Sequence, residues 1–170
     1  MLLHEICTQK IDQYLIEATL QQLQGGTDSA FPNRSETASV RIVQKRYLRY
    51  GDSQLMIKAV CSGETDQYQT SIMFEGVQFT GPQDPEAVRL DRLYIKPLTS
   101  QMSVKVMCTC PDFGWTFSWY NANNKSLIGN PPPPYKSSGQ RPRRNPSKTP
   151  GLCKHLIRLH DDLQAEQFIQ

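Results

Sequence analysis

Apolar and polar positions along the chain change period three times, and each period predicts a different element. From Leu3 to about Leu23 the spacing is helical. At 100° per residue, Leu3, Cys7, Ile11, Tyr14, Leu15 and Ala18 fall on one stripe, while Leu2, Ile6, Ile16, Leu20 and Leu23 fall almost opposite. Gly25-Gly26 supplies a stop signal, so a helix is expected within residues 1–24. A helix that is apolar on two faces is either deeply buried or shared with a neighbour. In a chain of 170 residues sharing is the expectation, which marks Leu2, Ile6, Ile16, Leu20 and Leu23 as a partner-binding face.

After a Gly/Ser/Thr/Asn/Pro connector at 25–37 the period becomes two. Ala38–Tyr50, the run around Leu55, Ile57, Ala59 and Cys61, and Tyr68–Phe79 are separated by turn signals at Gly51-Asp52 and Gly63-Glu64-Thr65-Asp66. This spacing predicts a three-stranded antiparallel meander, with Leu93–Ile95 and Ser103–Met107 as further strands. Helical spacing returns from about Leu152 to Ile169, where Leu152, Leu156, Leu159 and Leu163 form one stripe. The expected fold is α+β: an N-terminal helix (1–24), an antiparallel meander (38–107), and a C-terminal strand–loop–helix unit (103–170), together one domain.

Residues 121–151 follow neither period. They hold seven prolines, among them Pro131-Pro132-Pro133-Pro134, and six Lys/Arg with no acid. Proline excludes regular structure, so an extended loop that orders on contact is expected. Charge sharpens this picture. Between Phe113 and His160 stand eight basic residues and no acidic one, leaving 11 basic against 16 acidic in the remainder. A basic block on an acidic body calls for an electrostatic partner, and Arg141, Arg143 and Arg144 are its candidate contacts. No apolar run approaches the roughly 20 residues needed to cross a bilayer, and the early acid Glu5 argues against a secretory signal. Five cysteines, an odd number, argue against a disulfide scaffold.

Three of those cysteines carry the chemistry. Cys108-Thr109-Cys110 ends a predicted strand and Cys153-Lys154-His155 opens the last helix, giving C-x-C and C-x-H. Three thiolates and an imidazole suit one structural Zn²⁺ with all four positions filled by protein. A Cys108–Cys110 redox pair, an iron–sulfur site, or scattered buried cysteines are the competing readings. Cys7 and Cys61 sit on apolar faces and read as core, and His160 as a surface or capping histidine. Phe113, Trp115, Phe117 and Trp119 alternate with smaller residues or Tyr120, which predicts an extended ribbon with its rings on one face. That ribbon would pack over the metal, stack bases, or anchor a protein partner through Trp115 and Trp119.

Cys108-Thr-Cys-Pro-Asp-Phe113 and Pro150-Gly-Leu-Cys-Lys-His-Leu156 resemble the SWIM zinc finger, over roughly 103–163. The resemblance implies a strand–strand–helix zinc unit with Cys108, Cys110, Cys153 and His155 as ligands, although the interval between the two pairs is longer than that family usually has. With its aromatic run and proline-rich basic insert, this form is similar to virion structural proteins of tailed bacteriophages. The resulting expectation is a non-enzymatic, zinc-stabilised subunit of a virion, from the tail, baseplate or head–tail region, assembled in the host cytoplasm. Its partners would be other protein subunits, with no membrane and no small-molecule substrate. A nucleic-acid-binding SWIM adaptor is the alternative.

Overall fold

The alternating stretch folds as the meander it predicts. Strands β1 (Arg41–Tyr50), β2 (Gln54–Ser62) and β3 (Gln67–Glu75) pair antiparallel in sequence order. The β1–β2 turn needs Gly51, which adopts φ +57°. A computed structural model describes residues 18–30, 37–63, 65–133 and 145–170. The short strands β4 (Val88–Leu90) and β5 (Leu93–Ile95) form a separate hairpin. Strand β6 (Val104–Cys108) then returns to pair antiparallel with β3, completing a four-stranded sheet in the order β1-β2-β3-β6.

Alternation along the strands assigns the two faces of this sheet. Leu55, Ile57, Ala59 and Cys61 of β2, Thr70, Ile72 and Phe74 of β3, and Val104, Val106 and Cys108 of β6 are all buried on one face. The C-terminal helix, separated from β6 by two short helices, runs Lys154–Ala165 and packs against β1, β3 and β6 on that face. Its expected stripe is there: Leu156, Leu159 and Leu163 are fully buried. Leu152 is equally buried but precedes the helix, which begins at Lys154. Lys45 joins the first strand to this helix by ion pairs with Asp162, at 2.5 Å, and with Glu166. Burial opposes the lysine's charge, but the two carboxylates outweigh it and hold its pKa above the ordinary lysine value. The fold is therefore α+β, with the C-terminal helix beside the Cys/His group.

The N-terminal expectation requires correction. Residues up to 17, and with them Leu2, Ile6, Cys7 and Ile16, lie outside the described residues. Helix α1 spans Leu20–Ala30 and continues through Gly25-Gly26 instead of stopping there. The chain is extended before it: Ala18 accepts a backbone bond from Val104, and Thr19 bridges Ser103. A capping box then starts α1, with Gln22 N–H donating to Thr19 Oγ1 (3.2 Å) and Thr19 N–H to Gln22 Oε1 (3.0 Å). Gly26 serves packing, since a Cβ there would lie 2.4 Å from the Pro150 carbonyl oxygen. Leu20 and Leu23, assigned by the sequence to a partner face, are each 1% exposed and belong to the core. Thr19→Ala should cost about 1 kcal/mol in urea unfolding, the usual loss for an N-cap.

His160 is also displaced from its expected place. It is buried, not at the surface, and neither ring nitrogen has a hydrogen-bond partner among the described residues. Burial pushes its pKa below the ordinary 6.5, partly offset by Asp161, whose carboxylate lies 4.0 Å from Nδ1. The native ring is thus neutral where the unfolded ring takes up a proton. Its contribution is complete above about pH 6.5 and is lost as the pH falls toward the lowered native pKa, by at most about 1.4 kcal/mol per pH unit. Thermal melts between pH 7 and 5 should show a shallower decline for His160→Leu than for the parent protein.

Candidate metal centre

A strand end and two helix starts deliver the four candidate ligands. Strand β6 ends at Cys108, the chain turns, and Cys110 becomes the N-cap of helix α2 (Pro111–Thr116), its Sγ accepting from Phe113 N–H at 3.3 Å. Pro111 occupies the first turn, where its missing N–H costs no helical bond. Helix α3 (Ser118–Asn123) comes directly after it. On the other side Cys153 is the N-cap of α4 (Lys154–Ala165), which places His155 in the first turn.

The four side chains meet at one point. One ligand atom from each of Cys108, Cys110, Cys153 and His155 lies within 4.8 Å of all the others, and all four residues are buried. His155 Nδ1 stands 3.9 Å from Cys108 Sγ and 4.0 Å from Cys153 Sγ. Zn–S bonds of about 2.3 Å and a Zn–N bond of about 2.0–2.1 Å at the tetrahedral angle place nitrogen and sulfur about 3.6 Å apart, so the observed 3.9 and 4.0 Å lie close to what a single tetrahedral ion needs. Tyr68 packs on the imidazole with ring centroids 4.9 Å apart, fixing its orientation.

The three thiols of the group shift one another's pKa. Cys110 is held well below the ordinary thiol range, first because Cys108 donates a hydrogen bond to it and then because Cys153 does. The same bond to Cys110 pushes Cys108 up, and Cys153 is pushed up chiefly by burial. The three thiols are crowded together and buried. A divalent ion at their centre lets all three ionise. Cys61 stands outside the group as core: it is fully buried, and desolvation raises its pKa.

Several supporting residues were not singled out from the sequence. Thr27 of α1 accepts from Leu152 N–H (2.7 Å) and reaches the Leu152 carbonyl (3.0 Å). Asn121 clamps Gly151 from both sides: its Nδ2 donates to the glycine carbonyl (2.9 Å) and its Oδ1 accepts the glycine N–H (2.8 Å). Asn145 Nδ2 donates to the carbonyls of Thr116 and Thr149. These neutral bonds hold the approach to Cys153. Gly151 itself is required, because a Cβ would lie 2.5 Å from Thr27 Oγ1 and 2.8 Å from the Phe117 ring.

Two expectations change here. Residues 113–119 are helical turns, not an extended ribbon. Phe113 and Phe117, four apart, point into the core, while Trp115 is half exposed and Trp119 partly buried, so the rings do not share a face. The segment 121–151 is anchored at both ends, contrary to the expectation of a loop without contacts of its own. Ser126 and Ile128 bond to Val106 of β6, and Asn145 is buried. Arg141, Arg143 and Arg144 lie outside the described residues.

No protein-family model matches the chain, and no curated protein or solved structure is similar to it. Among the described residues no helix is long and apolar enough to cross a membrane.

Proposed function

We propose that the protein is a zinc-stabilised structural subunit of a larger protein assembly. The observation that carries this reading is the closed Cys₃His set. Four buried protein ligands fill a tetrahedral ion's positions, which leaves none open for a substrate or an activated water. Such an ion ties the end of β6 to the start of α4 and holds shape where the Pro-rich segment enters and leaves. Zinc is favoured over iron–sulfur chemistry because the mixed ligands match a structural zinc set. A redox role for Cys108 and Cys110 alone is disfavoured by the gathering of Cys153 and His155 with them, all four ligand atoms lying within 4.8 Å of one another.

The assembly we favour is a tailed-phage virion, at the tail, baseplate or head–tail region. This finer reading rests on the resemblance of Cys108–Phe113 and Pro150–Leu156 to such proteins, and membership of the SWIM group rests on the same residues. Sedimentation of purified particles tests it: the protein should remain with the particle after high-salt washing. Recovery only as a free chain that binds DNA with a steep salt dependence would replace this reading with the nucleic-acid adaptor.

A further inference from the structure

The two edges of the main sheet are treated differently. Along β6 the chain covers its own edge: Val104 N–H donates to the Ala18 carbonyl (2.9 Å), Val106 N–H to the Ser126 carbonyl (2.8 Å), and Ile128 N–H to the Val106 carbonyl (3.0 Å). At the opposite edge β1 pairs with β2 alone, and no described residue bonds its outer side. This open strand is ten residues long, with Arg41, Lys45, Arg46 and Arg49 and no acid.

The charge on it is only half answered. Lys45 is committed to Asp162 and Glu166. Arg49 lies 3.7 Å from Asp52 and over the Phe79 ring. Arg41 and Arg46 have no acidic partner among the described residues. Arg46 moreover stands directly across from Lys58 on β2, a like-charge pairing that disfavours the sheet unless an anion lies between or beside the two. Next to them, on the face away from α4, is a groove of about 340 Å³ lined by Gln44, Arg46, Lys58, Gln69, Ser71 and Met107, again without an acid. Val43 and Tyr50, both on β1, are two of the three large apolar side chains exposed among the described residues, at 58% and 43%.

We propose that β1 is a docking strand that takes an extended acidic segment of a different protein chain as a fifth strand of the sheet. A row of backbone N–H and C=O groups that no described residue bonds is a template for strand addition. The charge selects the partner. A second copy would bring only the same unanswered arginines, Arg41 and Arg46, and no acid on its β1 to meet them, and is repelled. A polynucleotide would satisfy the cations but leave the backbone row and Val43 unused. An acidic strand answers all three features, with a carboxylate beside Arg46 reaching into the groove toward Lys58. The bulge between Ile42 and Gln44 limits how far pairing extends toward the strand's start.

This inference rests on the assembly reading and names one contact in it, but its test needs no particle. The zinc-loaded full chain is titrated against a fluorescent ten-residue peptide of alternating glutamate and valine. Comparison probes are the lysine–valine counterpart, the acidic peptide N-methylated at alternate residues, and single-stranded oligothymidylate. Anisotropy should show binding of the acidic peptide alone. Arg46→Glu with Lys58→Glu should weaken it at least tenfold, about the coupling expected of close charge pairs, and the milder Arg46→Gln by less, with zinc content unchanged in both. Absence of acidic-peptide binding, equal binding of the N-methylated or basic peptide, or stronger binding of oligothymidylate would overturn the proposal. Such a failure would leave the zinc and assembly readings to stand or fall on their own tests of zinc content and particle association.

Discussion

Cys153→Ala is expected to yield a protein that retains little or no zinc and has lost protection from hydrogen exchange in α4, while the β1–β2–β3 meander keeps more of its own. Cys153 is both one of the four candidate ligands and the N-cap of α4, so under the proposed function its loss removes a metal bond at the point where the helix begins. In zinc fingers the ion contributes roughly 10–16 kcal/mol of folding free energy, against a total stability of about 5–15 kcal/mol for ordinary domains. Forfeiting even part of that unfolds the region it holds. The sheet, with Leu55, Ile57, Ile72 and Phe74 fully buried, has apolar contacts of its own. Cys61→Ala is the matched control: it deletes a buried thiol from β2 and should leave zinc content at the parent level. Elemental analysis paired with exchange mass spectrometry reads both variants.

Asn121→Ala should be the next most damaging change, at about 2–6 kcal/mol in urea unfolding, because it leaves the buried Gly151 N–H and carbonyl without partners at roughly 1–3 kcal/mol each. Both bonds are well within the ordinary range, at 2.9 and 2.8 Å, and Gly151 lies two residues before Cys153. Zinc affinity should fall together with stability, since the clamp sets where Cys153 stands. Ser126→Ala, which removes a single hydroxyl bond to the Asn121 carbonyl, should cost less.

The Cys/His group was legible in the sequence because its signal is local. C-x-C at a strand end and C-x-H at a helix start are each confined to three residues, and turns at Gly51-Asp52 and Gly63–Asp66 separate the strands. What escaped the sequence depends on contacts between distant segments. Gly25-Gly26 carries the composition of a helix stop, yet α1 runs through it, and Gly26 lets the helix approach Pro150 closely. Thr19-Leu-Gln-Gln22 held the true start signal, a capping box inside a longer apolar pattern whose period continued across it. The alternation of Phe113, Trp115, Phe117 and Trp119 fits period two, but the same residues place Phe113 and Phe117 at helical spacing. Pro111 after a capping Cys110 was the cue that favours the helix. Asn121, Asn145 and Thr27 read as loop polarity because nothing local shows that their partners lie tens of residues away.

X-ray absorption at the zinc edge of the purified chain tests the central claim most directly. The account predicts one zinc per chain with three sulfurs at about 2.3 Å and one nitrogen at about 2.0–2.1 Å. A chain without zinc, iron in its place, or a zinc shell containing oxygen would contradict it.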